Sequence, residues 1–242
     1  MKAKRIFLAA LLTAALSVSS AAPAVLAESP AAPEVTTITV FRPNLGEEDY
    51  MGLQSVDGET LLPPAFASIE VVGKFAIVYS DETDSFYLYD WQKRAFTAEY
   101  PMMFSNGAYI TIAESWEDGN YGLLDQSGAV VTEMQWLWMG DVADDVVWVA
   151  ADEDTMRVNL LHIPSGKMLL DEWADYCTEF SGGYSGFVRD GYVWFVDTEG
   201  HVQETDFVRV EQYTAEDGWF DVETADGTKG KYQPEKNEFT EK

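Results

Sequence analysis

The chain has 242 residues, of which 42 are acidic and 15 basic, giving a net charge of −27 at pH 7. A surface of that sign repels phosphate backbones and anionic lipid head groups, which excludes nucleic acid and acidic membranes as partners of the folded part. A single cysteine, Cys177, excludes an internal disulfide, so cohesion rests on an apolar core, for which eight Trp, twelve Tyr and thirteen Phe supply surface.

Lys2, Lys4 and Arg5 precede the apolar run Ile6–Leu12, and small residues follow, with Val25 and Ala27 at the −3 and −1 positions of a cut. This predicts a secretory signal peptide over residues 1–27. Thr13 and Ser17 interrupt the run, which is short for a membrane span. Without its three basic residues the mature chain carries twelve basic against 42 acidic groups, a net charge of −30. Residues 28–35, with Pro30 and Pro33, read as an extended linker. A single all-β domain is expected over 36–242.

Beyond the linker, strand propensity dominates. Thr36–Phe41, Phe75–Tyr79, Ala108–Ile112 and Val146–Ala150 are β-branched or aromatic and bounded by Gly, Asn or Asp. Asn106-Gly107, Asp118-Gly119, Asp190-Gly191, Asp217-Gly218 and Asp226-Gly227 mark tight turns, because these residues accept positive φ. No window shows a sustained apolar stripe at helical spacing.

The strands repeat. Leu53, Leu88, Leu123, Leu160 and Phe195 take equivalent places, with steps of 35, 35, 37 and 35 residues. The turn that follows holds Gly58, Gly128, Gly166 and Gly200, with Lys93 as the exception. A sixth copy starts near Gly230 and stops before its second half. Each unit has room for about four short strands.

These units resemble the bacterial WG-repeat family, which reads Trp-Gly-aromatic-Ile-Asp, a Gly turn, Val-Ile-Pro-Pro-aromatic, and later a Phe-Ser-x-Gly turn. Tyr50–Ile69, with Leu61-Leu62-Pro63-Pro64-Ala65-Phe66, matches the first half. Asn120–Val131 matches the strand–Asp–turn portion, and Phe104-Ser105-Asn106-Gly107 and Phe180-Ser181-Gly182-Gly183 match the late turn. The Trp-Gly pair itself is replaced by Met51-Gly52, Tyr121-Gly122 and Val193-Trp194. The resemblance implies interaction rather than catalysis.

A unit of this size cannot bury its own apolar face, so neighbours must stack. The expected architecture is a five- or six-bladed β-propeller, with an open stacked β-array as the alternative. The strand at Ile38–Phe41 and the incomplete last unit at 229–239 are expected to complete one blade between them and close the ring.

Little in the sequence points to chemistry. His162 and His201 lack metal-ligand neighbours at short spacing. Ser181–Gly186 reads as a hairpin turn rather than a nucleophile elbow, and no P-loop or dinucleotide fingerprint occurs. Asp141, Asp144, Asp145 and Asp152–Asp154 flank a strand without the order of a calcium loop. No catalytic residue, cofactor or metal is therefore expected, and Cys177 reads as a buried hydrophobe. Trp136 and Trp138, two apart and so on one strand face, and Trp148 on the next strand, are the candidate ligand-binding residues. Trp91, Trp116, Trp173, Trp194 and Trp219 are spread through other units. The expected protein is a monomeric, non-enzymatic scaffold, secreted or in the cell envelope, binding an unidentified protein or glycan and not embedded in a membrane. The alternatives are a carbohydrate-binding module with exposed Trp and Tyr, and an extracellular hydrolase with two convergent carboxylates.

Overall fold

The computed structural model describes residues 37–43, 50–115, 119–152, 154–211 and 218–242. The expected signal peptide and linker, Trp116, Asp118, Glu153 and Asp217 lie outside them.

Alternating, β-branched segments separated by positive-φ turns produce antiparallel meanders, and the described chain forms six of them in tandem. The first sheet has three strands, β1 (Ile38–Phe41), β2 (Met51–Ser55) and β3 (Thr60–Phe66). The second comprises β4 (Ser68–Val72), β5 (Phe75–Ser80), β6 (Ser85–Asp90) and β7 (Ala95–Tyr100). The third comprises β8 (Met102–Asn106), β9 (Tyr109–Ala113), β10 (Tyr121–Leu124) and β11 (Val130–Trp136). In the fourth are β12 (Trp138–Met139), β13 (Val146–Ala150), β14 (Val158–His162) and β15 (Lys167–Met168). The fifth holds β16 (Tyr176–Cys177), β17 (Tyr184–Arg189), β18 (Tyr192–Asp197) and β19 (Val202–Glu204). The sixth holds β20 (Phe207–Val210), β21 (Phe220–Thr224), β22 (Lys229–Gln233) and β23 (Glu238–Glu241). The only helical segments among the described residues are two 3-10 turns, Ile163–Ser165 and Pro234–Lys236. This is the all-β, blade-by-blade architecture of a propeller, with six blades.

The sequence repeat and the sheets are half a unit out of phase. Each sequence unit gives its first hairpin to the outer half of one sheet and its second hairpin to the inner half of the next. The phase explains the last copy: β22 and β23 are the third and fourth strands of a complete sheet whose first two belong to the preceding unit. It also corrects one expectation. The terminal fragments do not complete one blade, because β1 pairs with β2 while β23 pairs with β22 in another sheet.

The equivalent residues Leu53, Leu88, Leu123, Leu160 and Phe195 are all fully buried. Each contributes to one of five apolar clusters that join consecutive sheets. Leu88 packs with Ile110 and Ile112 of the third sheet, for example, and Leu123 with Val147 and Val149 of the fourth. The outward face of the sixth sheet is charged instead. Asp221 and Lys231 stand where the second and fourth sheets carry Ile77 with Leu88 and Trp148 with Leu160, flanked by Glu223 with Lys229 and by Arg209 with Glu211.

Two local devices explain which repeat residues persist. Gly52 and Gly122 lie immediately before the buried leucine, opposite bulges in β3 and β11. A Cβ at Gly122 would lie 2.6 Å from the Thr132 carbonyl oxygen, and one at Gly52 would lie 2.8 Å from that of Leu62. Gly230 is equally crowded by Thr240 and the Phe239 ring. In the second sheet Tyr87 takes this place, and the ladder to β7 runs without a bulge there. In the fourth Asn159 takes it, and its side-chain amide bonds the Leu170 carbonyl and N–H, extending a β15 only two residues long. The position is governed by the backbone opposite it.

The second device is a carboxylate that caps the hairpin after the buried strand. Asp125 Oδ1 accepts the Ser127 and Ala129 N–H groups at 2.7 and 3.0 Å. Asp90 does the same for Gln92 and Lys93, and Asp197 for Glu199 and His201. At the turn where Gly is replaced, Arg94 rather than Lys93 adopts the left-handed conformation, with φ of 56°.

Candidate binding surfaces

The expected tryptophan site does not form as a surface. Trp136 ends β11 and Trp138 begins β12, so a chain corner at Leu137 places them in different sheets, not on one strand face. Trp136 and Trp148 are buried and Trp138 is half-buried. Trp148 donates its Nε1–H to Ser185 Oγ at 3.0 Å and lies 6.0 Å from the Phe187 ring, deep between the fourth and fifth sheets. Gly140 leaves the space into which the Trp138 ring folds. Among the described tryptophans none is exposed. Large aromatic rings have gone where burial rewards them most.

The histidines and carboxylates serve turns. His162 Nδ1 lies 2.7 Å from Ser165 Oγ within the 3-10 turn, and His201 Nδ1 lies 2.9 Å from Asp197 Oδ2. The hydrogen bond and charge of Asp197 raise the His201 pKa. Ser127 hydroxyl and backbone N–H donors hold Asp125 below the usual carboxylate range. At Asp90 and Asp197 burial acts in the opposite direction but is outweighed by donors from Lys93 and His201. Asp226 is lowered by Thr224 and Thr228. Among the described residues no group of three or more His, Cys, Asp or Glu is placed to hold a metal ion. Burial pushes the Cys177 thiol up to about 12.

The sequence reading missed a cleft in the last blade. A hollow of about 630 Å³ opens where the fifth and sixth sheets meet, between Glu204, Thr205, Asp206, Phe207, Thr224, Tyr232, Asn237 and Phe239. Its floor is aromatic: the Phe207 ring lies 5.0 Å from Tyr232 and 5.4 Å from Phe239, which is half-open to solvent. Tyr232 Oη accepts from Gln203 Nε2 at 2.6 Å and donates to Asn237 Oδ1 at 2.8 Å, so the phenol is fixed. Burial raises its pKa, with the Tyr184 phenol adding to the effect. Exposed Glu204 and Asp206 form an acidic rim. An aromatic floor of mutually tilted rings beside an acidic rim suits a ligand with an apolar part and several donors, such as a sugar ring or a cationic side chain. The signal available in the sequence was the aromatic spacing Phe207, Tyr232, Phe239 within the degenerate last copy.

A second, smaller hollow of about 280 Å³ lies beside Trp173. It is walled by Asp152, Thr155 and Arg157, whose guanidinium donates to the Trp173 carbonyl at 2.5 Å and pairs with Asp175 at 3.1 Å.

No protein-family model matches the chain, and no curated protein sequence does so. Solved β-propeller structures are similar at low identity. Hsv2 of Kluyveromyces lactis, with loop 6CD replaced by a Gly-Ser linker, is 10% identical over 77% of this chain and 71% of its own, with a TM-score of 0.41. BamB from Moraxella catarrhalis is 14% identical over 80% and 70%, with a TM-score of 0.37. The dihydro-heme d1 dehydrogenase NirN is 12% identical over 79% of this chain and 52% of its own, with a TM-score of 0.36. Similarity at this level carries nothing about ligand or activity.

Proposed function

We propose that the chain is an exported, non-enzymatic scaffold of degenerate WG repeats that binds protein or glycan at the cell envelope or exterior. The observation that carries this reading is the use of the repeated residues. Leu53, Leu88, Leu123, Leu160 and Phe195 are spent on sheet-to-sheet packing, and Asp90, Asp125 and Asp197 on turn caps. Among the described residues these repeated positions serve packing and turns. Among described residues no helix is long and apolar enough to span a membrane.

Binding then falls to single places on the surface, of which the aromatic cleft of the last blade is one. This revives the carbohydrate alternative on Phe207, Tyr232 and Phe239 in place of Trp136, Trp138 and Trp148. The test is affinity capture by the full chain from envelope proteins and from a panel of polysaccharides, with Phe239→Ala as the control. Saturable capture weakened about tenfold by that change supports the reading. Hydrolysis of the polysaccharides that is lost in Glu204→Gln would replace it with the hydrolase. Export is tested separately, by expression in a bacterium: the exported chain should begin at Glu28.

A further inference from the structure

Among the described residues the first sheet has three strands where every other sheet has four. In the second to sixth sheets a first strand lies beside the second, as β4 lies beside β5 and β8 beside β9. In the first sheet β1 occupies the second place, and no described strand lies on its other side. The free edge is chemically unsaturated. The Val56 N–H donates to the Thr37 carbonyl, so Thr37, Thr39 and Phe41 direct their peptide groups toward β2. Alternation then turns the N–H and C=O of Ile38 and Val40 outward.

The side chains around this place are uncovered in the same way. Val40 pairs with Leu53 as Ile77 pairs with Leu88, yet Val40 is 39% exposed and Ile77 only 3%. Across the gap, Ile69 and Val71 of β4 face the first sheet beside Val78 and Ala76. Ile69 is half-buried, whereas Met103, at the matching place in the third sheet, is 1% exposed, and Val71 is 42% exposed where its counterpart Ser105 is half-buried. Val40 and Ile69 are thus more open than Ile77 and Met103, their counterparts in complete sheets.

We propose that the free edge of β1 is a docking site for an extended peptide strand of a partner protein, which pairs antiparallel with β1 and completes the first blade. The five complete blades define the occupant's shape: about four residues in extended conformation, with alternate apolar side chains directed at Ile69 and Val71. The net charge of −27 selects Lys or Arg at the intervening positions. The chain's own residues 28–35 are a poor substitute. Pro30 and Pro33 are an odd number of residues apart, so in a strand one of them would turn toward β1 without an N–H, and Ala31 and Ala32 are too small to cover Val71. This inference rests on the scaffold reading and names a site and partner class for it; capture through the aromatic cleft is independent of it.

The probe is an acetylated octapeptide, Lys-Val-Lys-Ile-Lys-Val-Thr-Lys, added to the full chain, with residue-resolved amide hydrogen exchange as the readout. Exchange at Ile38 and Val40 should slow at least tenfold on saturation, with the chain remaining monomeric. Val40→Pro removes an outward N–H and leaves the β1–β2 bonds in place. Val71→Lys leaves the backbone intact and charges the apolar wall. Both should abolish the protection, while Val202→Lys, a change at an exposed valine of β19, should not. The proposal is overturned if millimolar peptide leaves these amides unprotected, or if the peptide binds Val71→Lys as it binds the parent chain. Protection already present without peptide, in the monomer or in a dimer, would also overturn it, assigning the edge to the chain's own residues or to a second copy.

Discussion

Replacing Leu123 by alanine probes the packing between the third and fourth blades. Its side chain is fully buried among Trp136, Val147, Val149, Leu161 and Ile163. These neighbours sit on strands tied into two different hydrogen-bonded sheets, so the wall cannot collapse into the space left by three carbon atoms. Leucine-to-alanine changes in cores cost about 2–5 kcal/mol, more where the site relaxes least, which puts Leu123→Ala near 4 kcal/mol. For a domain of this length that corresponds to a Tm lower by about 8–16 °C. Urea unfolding followed by tryptophan fluorescence measures it directly, because Trp136 lies in the same cluster. Val131→Ala, at an exposed position of β11, should change stability by no more than about 0.5 kcal/mol. A loss below about 1 kcal/mol at Leu123 would refute the assignment of the repeated leucine to the space between sheets.

Gly122→Ala places a Cβ against the Thr132 carbonyl and Met134 N–H, so it should lower the urea midpoint; Gly58→Ala, with open space but positive φ, should cost less, about 1 kcal/mol. Asp125→Ala removes a cap with two backbone donors and should cost about 1–2 kcal/mol in the same assay. The lowered pKa values of Asp90, Asp125, Asp197 and Asp226 mean that their contribution is complete above the unfolded value near 3.9 and is lost as pH falls through the lower folded values. The raised His201 pKa adds a small contribution that is complete below the unfolded value near 6.5 and is lost as pH rises through the folded value. The urea midpoint should therefore rise slightly as pH falls from about 8 to 6, then drop below about pH 4, with a shallower drop in Asp125→Asn. Cys177, buried with its thiol pKa pushed up to about 12, should be inert to Ellman's reagent at pH 8 until denaturant is added.

Period and turns were legible because both are local. Strand alternation and the 35-residue step placed Leu53, Leu88, Leu123, Leu160 and Phe195 inside, and all five are. The partnership of the ends was not legible. That β1 joins β2 rather than β23 depends on which half of a unit each sheet receives, and the sequence repeat has no marker for that phase. The tryptophans misled for a related reason. Spacing by two implies a shared face only within one strand, and Leu137 turns the chain into the next sheet between Trp136 and Trp138. The aromatic cleft escaped notice because Phe207, Tyr232 and Phe239 lie on three strands brought together only by the sixth sheet. The glycine at this position is the instructive case: it persists as Gly52 and Gly122 before a buried leucine and as Gly230 before Lys231, where the opposing backbone comes close, and yields to Tyr87 and Asn159 where other arrangements meet the same need.

The central claim is that each sequence unit is split between two sheets, with its repeated leucine packed against the following blade. Methyl–methyl nuclear Overhauser contacts on a chain labelled at Ile, Leu and Val test it most directly. The account predicts contacts from Leu88 to Ile110 and Ile112, and from Leu123 to Val147 and Val149. Contacts confined to each leucine's own hairpin, with none to the following blade, would contradict it.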